Sequence, residues 1–147
     1  MGSWHEQALI EAPVEEVWRL VGDPRRYPDW VGDEVIEVTG LPTVVEGAEY
    51  EQVTRGPLGK GRTTFEIETL DDLHEISLRC TSSGWYSRWK LTEAGGNTFA
   101  DVEIGMEPIS APYRAIDAVT GKRWYRRVAK ASLDGIKRAL SRQSVSS

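Results

Sequence analysis

Cysteine and histidine are scarce in this chain. Its 147 residues include one cysteine, Cys80, and two histidines, His5 and His74, which are far apart in sequence. A single cysteine excludes an intrachain disulfide and is typical of proteins in a reducing compartment. Because no His, Cys and acidic residues cluster at the spacing of metal ligands, we expect no metal site.

Signals for membrane insertion and export are also lacking. No apolar stretch approaches the ~20 residues that a membrane-spanning helix needs. Residues 1–6 contain neither a basic start nor an apolar run, so we expect no signal peptide. Together with the cysteine content, these features predict a cytoplasmic protein without a transmembrane segment.

Sequence motifs for covalent or nucleotide chemistry are missing as well. Ser82-Ser83-Gly84 lacks the Gly-x-Ser-x-Gly context of a nucleophile elbow. The glycine-rich stretch 56–61 is not followed by the Lys-Ser/Thr pair of a phosphate loop, so it is predicted to be a hairpin loop. We therefore expect no cofactor. The acidic chain (pI ≈ 5.1) has no nucleic-acid-reading motif, so we expect no nucleic-acid partner.

Charge is distributed unevenly along the chain. Residues 113–143 hold nine Lys and Arg against Asp117 and Asp134, a balance of +7, whereas the whole chain carries −5 and the remainder therefore −12. A basic helix of this kind could dock on an anionic membrane surface or on an acidic carrier protein. The alternative is a solvated helix face whose charge is balanced by acidic strands nearby.

Apolar and polar residues alternate over most of the chain, which predicts seven strands. The predicted strands are 4–11, 35–38, 48–54, 63–70, 75–81, 85–92 and 98–107. The short connections between them are typical of antiparallel hairpins. The alternation predicts one polar face and one apolar face, and the apolar face includes Phe65, Leu78, Trp89, Val102 and Ile104.

The C-terminal third predicts one long helix. Pro108 and Pro112 bracket a loop before it, and apolar positions at helical spacing run from Trp124 to Ala139. Gly121 is expected to kink this helix or to mark its start, because glycine inside a helix costs ~1 kcal/mol relative to alanine. We predict a single domain over residues 1–143 and a frayed tail over 144–147.

Two short helices are predicted between the first two strands. Pro13 suits the first position of a helix, and Gly22 is expected to close that helix in a left-handed turn. Asp23-Pro24 then restarts a helix with a side-chain cap, and Pro28 is expected to end it. Helices this short are not stable alone in water, so they must pack against a larger element.

The N-terminal pattern resembles the START-like superfamily, also called the birch-pollen-allergen-like or helix-grip fold. The resemblance rests on Ala12-Pro13, Val17-Trp18, Asp23-Pro24 and Pro28-Asp29-Trp30. Within that superfamily the chain is most similar to the polyketide cyclase/dehydrase and lipid-transport family. The resemblance implies an α+β fold in which a curved seven-stranded antiparallel sheet wraps around a long C-terminal helix. It also implies two short helices between strands 1 and 2.

Members of this superfamily hold small molecules between sheet and helix, so the resemblance implies a pocket on the apolar face. Tyr50 and Gln52 share parity on one strand, and an apolar lining with a few polar groups is typical of small-molecule sites. Alternatively, both side chains lie half-solvated near a sheet edge. Trp85 and Trp89 could stack on a planar ligand or fill the core. The predicted ligand-binding residues are Tyr50, Gln52, Phe65, Ile67, Leu78, Trp89, Val102, Ile104, Tyr113 and Trp124.

Two functions follow from this expectation, and they belong to different classes. The first is a carrier that binds a hydrophobic lipid-like, acyl or polyketide-like molecule. The second is a metal- and cofactor-independent polyketide aromatase/cyclase or dehydratase, whose candidate acid/base groups are Tyr50, Gln52 and Glu6. Arg62, Arg79 and Arg88 have outward parity, which disfavours catalysis inside the pocket. A co-chaperone role, as in Hsp90-activator homologues of this fold, ranks last.

Overall fold

Seven strands and one long helix dominate the architecture. A computed structural model describes residues 3–31, 35–56, 59–107 and 111–146, and for residues 56, 113, 116, 120 and 142–146 it describes the backbone alone. The elements in chain order are β1 Ser3–Ile10, α1 Val14–Val21, a 3-10 turn Pro24–Arg26, α2 Tyr27–Trp30, β2 Val35–Thr39, β3 Glu49–Gly56, β4 Gly59–Asp71, β5 Glu75–Cys80, β6 Trp85–Ala94, β7 Asn97–Met106 and α3 Ala111–Ser146.

The strands form one antiparallel sheet in the order β1-β7-β6-β5-β4-β3-β2. The chain therefore runs through consecutive hairpins from β2 to β7, and β1 joins the edge beside β7. α3 packs against β1 and β7, whereas α2 packs between β2 and α3. This arrangement confirms the predicted α+β fold with a seven-stranded sheet, a long C-terminal helix and short helices between β1 and β2.

The β3–β4 hairpin is longer than the sequence predicted. Pairing continues from Tyr50 opposite Phe65 to Gly56 opposite Gly59, so Gly59 and Gly61 belong to a strand. The prediction of a loop over 56–61 was therefore wrong for most of that stretch. Glycine tolerates extended backbone as well as turns, and composition alone does not separate the two.

The start of the first helical segment agrees with the prediction only in outline. Pro13 stands just before α1 rather than inside it, with extended backbone (φ −61°, ψ 152°). Gly22 has φ −80°, so the predicted left-handed turn does not occur. A β-carbon at Gly22 would lie 2.3 Å from the Trp18 indole, so close packing of that ring, and not backbone handedness, requires glycine here.

The second helical segment begins as predicted but does not end as predicted. The Asp23 carboxylate caps it by accepting a hydrogen bond from the Arg25 backbone N–H at 3.0 Å. Pro28, however, lies inside the first turn of α2, which continues to Trp30. Proline fits there because the first N–H groups of a helix have no partner within the helix.

The concave face of the sheet carries the core, as the alternation predicted. Phe65 pairs with Cys80, Ile67 with Leu78, and Trp89 with Ile76 and Val102 across neighbouring strands. All of these side chains are buried. The convex face is polar, and four of its basic side chains are ion-paired: Arg79 with Glu68 and Glu107, Arg62 with Glu37 and Glu51, Arg88 with Glu103, and Lys90 with Glu75.

α3 starts at Ala111, so Pro112 lies in its first turn and Gly121 lies in its interior. The expectation that Gly121 marks the helix start was wrong. Gly135 has a clearer packing role, because a β-carbon there would lie 1.7 Å from the Trp30 carbonyl oxygen. The backbone of α3 at Gly135 therefore packs directly against the backbone carbonyl of Trp30 in α2, with no room for a side chain between them. α3 extends to Ser146, past residue 143, and the domain boundary at 143 stays a prediction.

Candidate functional site

A small cavity lies between the concave face of the sheet, α2 and α3. Its volume is about 40 Å³, which is near the ~30 Å³ share of one liquid water molecule and far below the ~300–1,000 Å³ of drug-sized ligand sites. Its wall is mostly apolar with a polar minority. The lining residues are Tyr27, Val31, Val35, Gln52, Thr54, Phe65, Leu78, Trp85, Ser87, Trp89, Ile104, Trp124, Val128 and Ser132.

Six of the predicted ligand-binding residues meet at this cavity. They come from strands β3 to β7 and from α3, and they are Gln52, Phe65, Leu78, Trp89, Ile104 and Trp124. The sheet brings them together because strand residues of equal parity point to one face. The structure therefore brings these six side chains together, and their role in ligand binding stays a prediction.

The other predicted site residues lie elsewhere. Tyr50, Ile67 and Val102 are buried in the core but do not line the cavity. The side chain of Tyr113 lies outside the described residues. Glu6 is half-buried beside Trp4, and its carboxylate accepts a hydrogen bond from the Trp4 indole N–H at 2.8 Å.

Several wall residues escaped the sequence reasoning. Tyr27 begins α2 and Val31 directly follows it, and this single turn carries no periodic signal of its own. Val128 and Ser132 lie on the buried side of α3, four residues apart. Spacing of i and i+4 places two residues on one helix face, so Ser132 could have been found beside Val128.

Aromatic rings of the cavity wall belong to two groups, one of which includes Trp30 from outside the wall. Trp85 and Trp124 pack with ring centroids 4.6 Å apart, joining β6 to α3. Trp30 packs edge-on against Trp89 at 5.7 Å, and its indole N–H donates to the Leu20 carbonyl at 3.2 Å. Both groups connect the sheet to helices, so the width of the cavity depends on where the helices lie relative to the sheet.

The Trp124 indole nitrogen differs from that of Trp30. Its Nε1 is buried and has no hydrogen-bond partner among the described residues. A buried donor without a partner costs ~1–3 kcal/mol of desolvation free energy. Trp124 is only partly buried as a whole, so rotation toward solvent would let its N–H bond to water. No hydrogen bond from this N–H to the described residues opposes that rotation.

Two polar residues of the wall, Gln52 and Thr54, come from β3, and Ser87 and Ser132 come from β6 and α3. Gln52 is 4% exposed, and its side-chain amide donates to the Thr54 hydroxyl at 2.9 Å. The burial of Gln52 contradicts the alternative of a half-solvated edge side chain. Ser87 lies at the centre of the cavity floor, because its backbone pairs with Leu78 on one side and Ile104 on the other.

Two buried phenols lie next to this polar group. The Tyr27 hydroxyl donates to the Val21 carbonyl at 2.7 Å, and burial raises the pKa of Tyr27 well above its ordinary value, with a further contribution from Tyr50. Tyr50 stacks on Phe65 at 5.9 Å, and its hydroxyl has no partner among the described residues. Burial, with a smaller effect from Cys80, also raises the pKa of Tyr50. Both phenols therefore stay protonated at neutral pH and can act only as neutral hydrogen-bonding groups.

Cys80 ends β5 on the core side. Burial by itself would raise the pKa of its thiol, but hydrogen bonds with Ser82 and Ser83 outweigh that effect and lower the pKa. The Cys80 sulfur lies 3.3 Å from the Ser82 hydroxyl. Since Cys80 does not line the cavity, these bonds describe a packed thiol at a turn.

A second, open groove lies at the other end of α3. Its volume is about 410 Å³, and it is lined by Leu9, Ile10, Glu11, Ala12, Glu16, Lys137, Leu140 and Ser141. None of the predicted site residues lies there. The groove is larger than the interior cavity, but it is a surface hollow without the apolar concave wall that a hydrophobic ligand needs.

The described part of the chain holds neither a metal-binding cluster nor a membrane-spanning helix. Over residues 3–31, 35–56, 59–107 and 111–146, no three His, Cys, Asp or Glu side chains group in a way that could hold a metal ion. Within the same ranges, no helix is long and apolar enough to cross a membrane.

A curved antiparallel sheet covered by one long C-terminal helix, with short helices after the first strand and an apolar-lined cavity beneath the long helix, defines the START-like or helix-grip class. The family described as polyketide cyclase / dehydrase and lipid transport matches residues 1–141. The chain belongs to this family. No curated protein matches the sequence.

Solved structures show the same fold. A START superfamily protein from Mycobacterium smegmatis superposes with a TM-score of 0.76 at 13% identity, covering 96% of this chain and 98% of that one. A protein from Thermus thermophilus gives 0.75 at 17% identity, covering 97% and 99%. A second protein from Mycobacterium smegmatis gives 0.69 at 20% identity, covering 96% and 92%. At these identities the likeness establishes the fold alone.

Proposed function

We propose that this protein binds a small hydrophobic molecule of lipid, acyl or polyketide type between the sheet and α3. The observation that carries the proposal is the Trp124 side chain. Its indole N–H is buried without a partner among the described residues, on the wall of an apolar cavity that also presents Gln52, Thr54 and Ser87. An apolar wall with a few polar groups is the usual construction of a small-molecule site.

Binding requires the cavity to widen, because 40 Å³ holds no hydrophobic ligand. Trp124 and Trp85 are the side chains best placed to move, since both are partly buried and lie at the cavity wall. Swinging Trp124 outward removes an aromatic ring from the cavity and gives its N–H access to water. A ligand that fills the space replaces the apolar contacts that the ring had made.

Neither the sheet nor α3 needs to move for the cavity to open in this way. α3 is anchored to β1 and β7, away from the β3–β5 part of the cavity floor. Outward rotation of Trp124 therefore leaves the packing of α3 on β1 and β7 intact. The cavity therefore opens by a local movement of one side chain. The rest of the concave face keeps its structure and serves as a preformed wall for the ligand.

Catalysis by an aromatase/cyclase or dehydratase is the alternative, which the family description also supports. The buried hydroxyl of Tyr50, unpartnered among the described residues, is its best candidate for a hydrogen-bond donor to a substrate carbonyl. Glu6 is less well placed, because its carboxylate already accepts a hydrogen bond from the Trp4 indole N–H. Arg62, Arg79 and Arg88 are on the convex face, in ion pairs.

A blocking substitution tests the binding proposal. Ser87→Phe places a phenyl ring at the centre of the cavity floor, whereas Thr92→Phe adds the same ring at an exposed position of the same strand. Wild-type protein and Thr92→Phe are expected to bind the apolar fluorophore N-phenyl-1-naphthylamine saturably, and Ser87→Phe at least tenfold more weakly. Equal binding by Ser87→Phe and Thr92→Phe would contradict the proposed location, provided thermal unfolding shows both to be folded.

A further inference from the structure

α3 carries a basic stripe on its solvent side. At 3.6 residues per turn, the stripe occupies an arc of about 120° and is roughly 22 Å long. Its members are exposed, and the only acidic residue in the arc is Asp134. The six basic residues of the stripe are Arg123, Arg126, Arg127, Lys130, Lys137 and Arg138.

Most of the stripe is not ion-paired within the described part of the chain, unlike four of the basic residues of the sheet. On the convex face of the sheet, Arg62, Arg79, Arg88 and Lys90 all pair with carboxylates. In the described ranges, by contrast, four members of the stripe have no carboxylate within ion-pair distance. Those four are Arg123, Lys130, Lys137 and Arg138. The described residues of the acidic strands therefore form no ion pair with these four positions.

An exposed apolar side chain lies at the N-terminal end of the stripe. Val119 is 84% exposed and precedes Arg123 by one turn on the same helix face. Basic side chains interspersed with an exposed apolar one match the interfacial region of a bilayer, where cations meet phosphate headgroups and an apolar group enters the acyl boundary. A single helix also presents one face along its length, which fits a flat surface.

We infer that this stripe docks the protein on an anionic membrane surface. The chain as a whole carries −5, so a negatively charged surface repels the rest of the molecule and attracts α3, which orients the protein. Trp124 follows Arg123 directly, so docking brings the cavity wall close to the lipid surface. This last point rests on the proposed function, whereas the charge argument does not.

Vesicle co-sedimentation of the full chain tests the inference. The probes are large unilamellar vesicles of phosphatidylcholine alone and of phosphatidylcholine with 30% phosphatidylglycerol, at about 0.1 M and 0.5 M salt. The protein is expected to sediment with the anionic vesicles at low salt, and to remain in solution at high salt or with the neutral vesicles. Surface charges act over about 10 Å at 0.1 M salt and over a shorter distance at higher salt. Loss of vesicle binding at high salt is therefore diagnostic of electrostatic docking.

Two quadruple variants make the test specific, because each removes four positive charges. The stripe variant is R123Q/K130Q/K137Q/R138Q, and the matched control on the sheet is R55Q/K60Q/R62Q/K90Q. All eight positions are exposed. Each cation near an anionic surface contributes about fivefold to partitioning, so the stripe variant is expected to bind roughly several hundredfold more weakly. The control is expected to stay within a few-fold of wild type.

Failure of this inference is distinguishable from failure of the proposed function. If wild-type protein does not sediment with anionic vesicles at low salt, or if both variants weaken alike, the docking surface is refuted. Fluorophore binding is measured in solution without vesicles, and the stripe variant is expected to bind N-phenyl-1-naphthylamine as wild type does. Circular dichroism of both variants confirms that helix content is retained.

Discussion

Replacing Gly135 by alanine tests whether the seat of α3 on α2 fixes this structure. Alanine favours a helix interior by ~1 kcal/mol over glycine, so helix propensity alone predicts a more stable protein. Packing predicts the opposite. The added methyl would lie 1.7 Å from the carbonyl oxygen of Trp30 and 2.9 Å from its carbonyl carbon. Because both are backbone atoms, α3 or α2 must retreat by more than 1 Å before ordinary contact at 3.4 Å is restored.

The magnitude follows from these two opposing terms. Overpacking a well-packed contact costs ~1–3 kcal/mol, and a clash with backbone belongs at the upper end. Subtracting the ~1 kcal/mol gained in propensity leaves a net loss of about 2 kcal/mol in the free energy of unfolding. For a chain of this length, the melting temperature should fall by roughly 6 °C.

Urea unfolding followed by tryptophan fluorescence measures this change, and Gly121→Ala is the matched control in the same helix. At Gly121 the nearest atoms to an added methyl belong to side chains and not to the backbone of another element, with Asp117 Oδ1 at 2.9 Å and Tyr125 Cε2 at 3.2 Å. The control is expected to change stability by less than about 1 kcal/mol. A Gly135→Ala protein as stable as wild type, or more stable, would refute the close contact between α3 and the Trp30 carbonyl.

Three further predictions concern the cavity and the convex face. Trp124→Ala should cost roughly 2 kcal/mol of stability. It should nevertheless speed the association of N-phenyl-1-naphthylamine in stopped-flow fluorescence. Unchanged association kinetics would contradict the claim that the Trp124 side chain moves to open the cavity. Tyr50→Phe should leave the urea midpoint unchanged or slightly higher, because it deletes a buried hydroxyl that has no partner among the described residues. If the protein has cyclase activity, the same substitution should lower its rate sharply. An unchanged rate would remove Tyr50 from the mechanism. Tyr86 is buried and donates to the Glu103 carboxylate at 2.6 Å, and burial followed by this bond raises the pKa of Tyr86 from 10.0 to about 12. Its neutral phenol therefore contributes stability that is fully present below pH 10 and lost as the pH rises toward 12. Tyr86→Phe should show less loss of stability over that window in alkaline unfolding curves, and identical curves would refute the assignment.

The sheet was predictable because its information is local. Alternation over two residues assigns Phe65, Trp89 and Ile104 to one face, and short polar connections predict hairpins. Both held in the structure. The prediction failed at glycine and proline, because each of these residue types occurs both in turns and within regular secondary structure. Gly59 continues a strand, and Pro28 lies within a helix that it was expected to end.

The candidate site was only partly predictable because its boundary is set by long-range packing. Val102 and Ile104 share parity and burial, yet only Ile104 reaches the cavity. The difference depends on where α3 crosses the sheet, which is fixed by contacts such as Gly135 with Trp30. Tyr27 was missed for the same reason, because no periodic pattern shows that a one-turn helix folds over the sheet.

Native mass spectrometry of the freshly purified protein, with organic extraction of any bound molecule, tests the central claim most directly. The account predicts a discrete added mass from a hydrophobic small molecule, or adducts after exposure to a panel of fatty acids, sterols and polyketides. Ser87→Phe should lose the adduct and Thr92→Phe should keep it. A wild-type protein that retains its bare mass throughout the panel would contradict the claim that a ligand binds between the sheet and α3.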